Sequence, residues 1–171
     1  NQVIQSVREA YDRYNFMEVY RTIFNFLTND MSAFYLDFAK DIVYIETANS
    51  TDRRRMQTVM YEILVKLTKL LVPIVPHTSE EIWTYLEQEE EAYAYLTEMP
   101  SADVIPDAAE ILDFWSAFLE FRTGVHKALE MARDEKVIGK SLEASVMVYP
   151  DEAVKVLLAS VAETEDVATL L

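Results

Sequence analysis

Residues 15–38 read NFMEVYRTIFNFLTNDMSAFYLDF, and their spacing decides the fold class. Phe16, Tyr20, Ile23, Leu27, Met31, Phe34 and Phe38 recur at steps of three or four, which places them along one helical face. The spacing predicts a helix of about six turns. Asn15 followed by Glu18 has the spacing of a capping box, so the helix is predicted to start there, with Asn1 to Arg13 forming an earlier one.

Working outward, Ser50 or Thr51 is placed to cap a third helix whose apolar set is Val59, Met60, Ile63, Leu64, Leu67, Leu70 and Leu71. Pro73 and Pro76 end it. Thr78-Ser79-Glu80-Glu81 reads as a second capping box launching a short helix through Ile82, Trp83 and Leu86. The acidic stretch from Glu87 to Pro106 has no sustained periodicity and reads as a long surface connection of low order. Asp107 with Glu110 caps the longest helix, which carries Ile111, Leu112, Trp115, Phe118, Leu119, Val125, Leu129 and Ala132, with Gly139 as its stop. Beyond it, Ala144 to Tyr149 is β-prone, Asp151 to Val161 reads as a short helix and Val167 to Leu171 as a last strand. The expected architecture is mainly α: an antiparallel bundle of about five helices over 1–140, with a small C-terminal βα appendage over 141–171. Its predicted core is Phe16, Tyr20, Ile23, Leu27, Phe34, Ile63, Leu67, Leu70, Trp115, Phe118 and Leu129.

Composition agrees. Of 171 residues 51% are hydrophobic, including ten Tyr, eight Phe and two Trp, which excludes a disordered chain. Two Gly and five Pro leave little material for tight hairpins. The absence of Cys rules out disulfides, zinc–thiolate sites and thiol nucleophiles within the chain. No run reaches the roughly 18 apolar residues of a membrane span, and Asn1 to Tyr20 lacks a signal-peptide layout, so a cytoplasmic protein without membrane partners is expected. The net charge of -15 confines any nucleic-acid contact to a local basic face.

Residues 125–146 read VHKALEMARDEKVIGKSLEASV. This run closely resembles a segment near the end of the anticodon-binding domain of isoleucyl-tRNA synthetases, a branch of the class I aminoacyl-tRNA synthetase family. Residues 34–44, FYLDFAKDIVY, and 53–64, RRRMQTVMYEIL, leading to 71–83, LVPIVPHTSEEIW, resemble the same family in the same order. The P.H..EE.W part is shared with the valyl and leucyl branches, which remain the alternative; IGKSLEA favours the isoleucyl branch. The resemblance implies a helical bundle that holds the anticodon stem and loop of isoleucine tRNA. A separate catalytic domain, absent here, makes isoleucyl-adenylate from ATP. It implies no cofactor in this chain, ATP and magnesium for the parent enzyme, and the catalytic and C-terminal domains of the same parent chain as further partners. Neither the HIGH nor the KMSKS signature of class I synthetases occurs; residues 136–141, KVIGKS, only echo the second.

Candidate tRNA contacts follow from charge and position. Arg53, Arg54 and Arg55 lie in the first turn of a helix, where the macrodipole disfavours cations and a phosphate would offset that. Tyr44, near a helix end, is a candidate to stack on a base, ahead of Tyr35, Trp83 and Trp115. At about 100° per residue, Ile111, Trp115 and Phe118 point the same way as Arg122, His126, Arg133 and Lys136, so one helical line turns from apolar to basic. Lys140 continues it, as a phosphate track. The competing reading pairs these cations with some of the thirty acids inside the fold. His77 and His126 are isolated, a poor metal site. The acidic pairs Glu80-Glu81 and Glu89-Glu90-Glu91 read as caps and solvated charge. A function of another class, a helical scaffold docking proteins through an aromatic groove, draws support from the acidic charge. A stand-alone enzyme has no nucleophile, metal or phosphate loop behind it.

Overall fold

The computed structural model describes residues 1–86, 91–140, 143–162 and 167. They fall into two units, Asn1–Val104 and Ile105–Leu171, and carry seven α-helices. No helix among the described residues is long and apolar enough to cross a membrane.

In the first unit, Asn15 ends one helix and starts the next. Helix α1 (Gln2–Asp12) closes with Tyr14 at φ 55°, whose N–H donates to the Tyr11 carbonyl at 2.9 Å while the Asn15 N–H reaches back to Ala10 at 2.8 Å. This pair of reversed bonds is a Schellman closure. Asn15 Oδ1 then accepts the Glu18 N–H at 3.2 Å, opening α2 (Phe16–Asn25) as the capping-box spacing predicts. Because the Asn15 N–H is already committed to Ala10, the Glu18 carboxylate takes the Asn15 side-chain amide instead, at 2.8 Å.

The single long helix predicted from Asn15 to Phe38 is three pieces. After α2 the chain winds as a π-helix over Phe26–Tyr35, then returns to an α-helix, α3 (Leu36–Ile45). Thr28 Oγ1 donates to the Phe24 carbonyl, the acceptor that α-helical winding reserves for the Thr28 N–H. The predicted apolar face is also offset. Val19 and Ile23 are buried against Ile4, Val7, Ala10 and Leu70, whereas Phe16, Tyr20 and Leu27 are exposed. Two apolar lines run side by side on α2. The compact aliphatic line fits the close approach that the three-residue connection imposes, and Tyr20 and Phe24 stack outside it at 5.6 Å.

Helix α4 (Thr51–Leu71) stops ahead of Pro73 as expected, and the Tyr11 hydroxyl donates to its Leu70 carbonyl at 2.8 Å. The second predicted capping box is absent. Helix α5 (Pro76–Trp83) has already begun at Pro76, which needs no N–H in the first turn. Ser79 therefore lies inside the helix, buried, and Glu80 accepts the N–H groups of Ala94 and Tyr95 at 3.0 and 2.9 Å. Trp83 Nε1 donates to the Glu91 carbonyl at 2.8 Å, and its ring packs with Val65, Leu86 and Ala94.

These bonds order the part of the acidic connection that is described. It makes a 3₁₀ turn at Ala94–Leu96, Arg8 donates to the carbonyls of Met99 and Pro100, and Lys66 pairs with Asp103. Residues 87–90, with Glu87, Glu89 and Glu90 of the predicted loop, lie outside the described residues.

The second unit is built on α6 (Ala108–Asp134). Asp107 precedes it with φ 57° and makes no side-chain cap bond, so its position agrees with the sequence reading but the capping box with Glu110 does not form. The helix ends five residues before Gly139. Lys136 takes the left-handed position at φ 59°, with its N–H on Arg133 and that of Val137 on Ala132, both at 2.9 Å. Gly139 and Lys140 instead donate their N–H groups to the Glu143 carboxylate at 3.0 and 3.2 Å.

The last helix, α7 (Glu152–Ala162), is opened by Asp151, whose Oδ1 accepts the Val154 N–H at 2.8 Å. The predicted βα element is not supported. Among the described residues there is no strand: Ala144 to Tyr149 lacks the partner strand that a ladder requires. Val167, predicted to open a last strand, is helical, and residues 168–171 lie outside the described residues.

Candidate nucleic-acid interface

Four of the predicted contact residues meet at one corner of the first unit. Tyr44 is in the last turn of α3, 84% exposed, and Arg53, Arg54 and Arg55 begin α4. Arg53 donates to the Glu46 carbonyl at 3.0 Å, which ties the start of α4 to the residue just after α3. Arg54 bonds Gln57 Oε1 and Arg55 pairs with Asp52, each at 3.2 Å. The Arg55 pair is exposed on both sides. Exposed pairs contribute about 0–1 kcal/mol, so a phosphate can take over such a guanidinium at small cost. One turn before Tyr44, Lys40 pairs with Asp37 at 2.6 Å; the hydrogen bond and charge of Asp37 raise the lysine pKa and keep it cationic.

The other four belong to the second unit and do not form the single helical line read from the sequence. Arg122 and Arg133 lie on α6, and each has an interaction within the fold. Lys136 and Lys140 are exposed but follow the end of the helix, so the left-handed turn at Lys136 breaks the register that the basic line assumed. Arg133 sits in the last turn, where the helix dipole favours a cation. His126, on the same helix, keeps a buried Nε2 without a hydrogen-bond partner.

Sequence reasoning missed Lys40 and the recess beside it. Leu36, Ala39, Lys40, Val43 and Tyr44 from α3 and Met60 from α4 enclose about 220 Å³. The spacing of Lys40 and Tyr44 shows that they share a helical face. That Met60 closes the opposite side depends on how α3 meets α4, which spacing does not contain.

Residues 1–148 match the family described as the anticodon-binding domain of tRNA ligase. Over all 171 residues the chain is 60% identical to isoleucine–tRNA ligase of Streptococcus sanguinis and 60% identical to that of Lactococcus lactis subsp. lactis. It is 58% identical to isoleucine–tRNA ligase of Streptococcus pyogenes. The chain spans 18% of the length of each of these relatives. A family match over this share of the sequence leaves one conclusion: the chain belongs to the anticodon-binding domain family of tRNA ligases.

Proposed function

We propose that this chain binds the anticodon stem and loop of isoleucine tRNA as part of an isoleucine–tRNA ligase, a cytoplasmic enzyme that joins isoleucine to its tRNA using ATP. The observation that carries the reading is the identity to isoleucine–tRNA ligases along the whole chain. The arginine corner supports it, because three consecutive arginines in a chain of net charge -15 suit a polyanion. Arg53, Arg54 and Arg55 hold phosphates, Tyr44 offers a ring for a base, and Arg122, Arg133, Lys136 and Lys140 make further backbone contacts. Phosphate contacts position the RNA, whereas contacts to unpaired bases carry the sequence information.

The catalytic and C-terminal domains of the same ligase are the other partners. ATP and magnesium belong to the catalytic domain. Among the described residues no three His, Asp or Glu side chains are grouped to hold a metal ion.

The test is tRNA binding at several salt concentrations by a full-length ligase carrying this domain. Each phosphate-bound cation contributes up to about one unit to the log–log slope. Arg54→Ala and Lys136→Ala are each expected to flatten the slope and weaken isoleucine tRNA and a non-cognate tRNA by similar factors. Unchanged slopes, with reduced thermal stability, would assign these cations to pairing inside the fold. Identity to isoleucine–tRNA ligases along the whole chain does not favour the protein-docking scaffold, which would predict no dependence of tRNA affinity on either cation.

A further inference from the structure

The recess between α3 and α4 has the size and lining of a site for one ring. At about 220 Å³ it is smaller than the roughly 300–1,000 Å³ of pockets that enclose a drug-sized ligand. Ala39, among its lining residues, is buried. Leu36, Lys40 and Tyr44 stand four residues apart along one line of α3, Ala39 and Val43 along the next, and Met60 faces them from α4. The walls are apolar and the rim is not.

Three features on or beside the lining suit a base. Tyr44 presents its ring almost wholly to solvent. Lys40 offers a donor and Asp37 an acceptor 2.6 Å from it, matching base edges on which donors and acceptors stand side by side. The Arg53 link to Glu46 ties the start of α4, where three consecutive arginines lie, to the residue just after the end of α3 that bears Tyr44.

We propose that this recess receives one unpaired base of the bound RNA loop, stacked on Tyr44 and met at its edge by Lys40 and Asp37. The proposal rests on the RNA-binding reading above and names its base-binding site. An apolar floor favours a flat ring turned out of its stack, and the exposed Lys40–Asp37 pair opens at small cost to engage its edge.

The experiment places the fluorescent base 2-aminopurine singly at each position of the anticodon loop of isoleucine tRNA, with the full-length ligase carrying this domain. One position is expected to change its fluorescence on binding through contact with Tyr44. Tyr44→Ala should abolish that change and weaken binding about ten-fold, as loss of one base–aromatic stack does, and Tyr44→Phe should retain both. Ala39→Met fills the recess and should act like Tyr44→Ala. Should it fail to fold, Tyr44→Ala alone decides, since that side chain is exposed. If Arg53, Arg54 and Arg55 together are replaced by Ala and tRNA affinity does not change, the RNA-binding reading of this corner falls, and the recess with it. If the triple variant weakens binding while Tyr44→Ala changes neither affinity nor any fluorescence, the reading stands and the recess proposal is overturned.

Discussion

Both units are made of helices with apolar residues at steps of three and four, yet those residues meet different surroundings. In the first unit, Val7, Ala10 and Val19 are wholly buried and Trp83 nearly so, because four elements return to cover them: α2, α4, α5 and the braced 91–104 segment. In the second unit α6 packs against α7. Phe118 is wholly buried between Trp115 and Phe121, with ring centroids at 5.7 and 6.4 Å, while Ile111, Leu112 and Met131 on the same helix are about half exposed. An open recess of about 590 Å³ lies along α6, lined by Phe121, Val125, Val146, Val148 and Leu157 among others. Periodicity supplies an apolar face; burial needs an opposing element to cover it.

The largest expected effect tests that contrast directly. Trp83→Ala should cost about 3–5 kcal/mol, because it removes a buried ring from a site closed on all sides and releases the Glu91 carbonyl. Phe118→Ala should cost about 3 kcal/mol, at the lower end of the range, since its ring neighbour Phe121 lines the open recess and has room to move into the space left. Urea denaturation measures both; a greater cost for Phe118→Ala would show α6 to be as tightly enclosed as the first unit.

A smaller effect compares two helix ends that use the same closure. Tyr14 and Lys136 both hold positive φ without being glycine. A left-handed residue with a side chain is strained by about 1–2 kcal/mol, and glycine gives back part of the gain through its freer unfolded state. Tyr14→Gly and Lys136→Gly should each raise stability by about 0.5 kcal/mol. Only the second should also flatten the salt dependence of tRNA binding. A loss of stability in either would mean that the side chain contributes packing exceeding the strain.

The smallest effect is electrostatic. The hydrogen bond and charge of Lys66 lower the Asp103 pKa below 3.8, and Asp103 in turn raises that of Lys66 above 10.5. The contribution of the depressed carboxylate is complete above 3.8 and lost as pH falls through its folded value. That of the raised amine is complete below 10.5 and lost as pH rises through its folded value. Asp103→Asn should therefore lower the urea midpoint slightly between these limits and not beyond them. Asp103 is exposed and Lys66 partly so, so added salt should shrink the difference; one that persists in strong acid would assign it to something other than the pair.

Several elements were legible from short-range chemistry. Asn15 with Glu18 marks a helix start because both partners lie within one turn. Pro73 and Pro76 mark a stop because a missing N–H and a fixed φ act locally. The family was legible because runs such as IGKSLEA are long enough to be specific. Less was legible of the candidate site. Tyr44 and the three arginines lie at helix ends as the spacing predicts, but the basic line breaks beyond Arg133, since nothing within that stretch distinguishes a left-handed Lys136 from another helical turn.

Sequence alone therefore determined the helical class, most helix starts and the family, all of which rest on patterns within one or two turns or on the order of residues. Tertiary structure decided which of two apolar lines on α2 is buried, that Glu80 braces Tyr95 rather than capping its own helix, and that Met60 closes a recess beside Tyr44. These choices join residues 15 positions apart, as Glu80 with Tyr95, 16, as Tyr44 with Met60, or 51, as Val19 with Leu70, and depend on which surfaces fit at close approach. Complementarity of that kind belongs to pairs of elements, and no single segment encodes it.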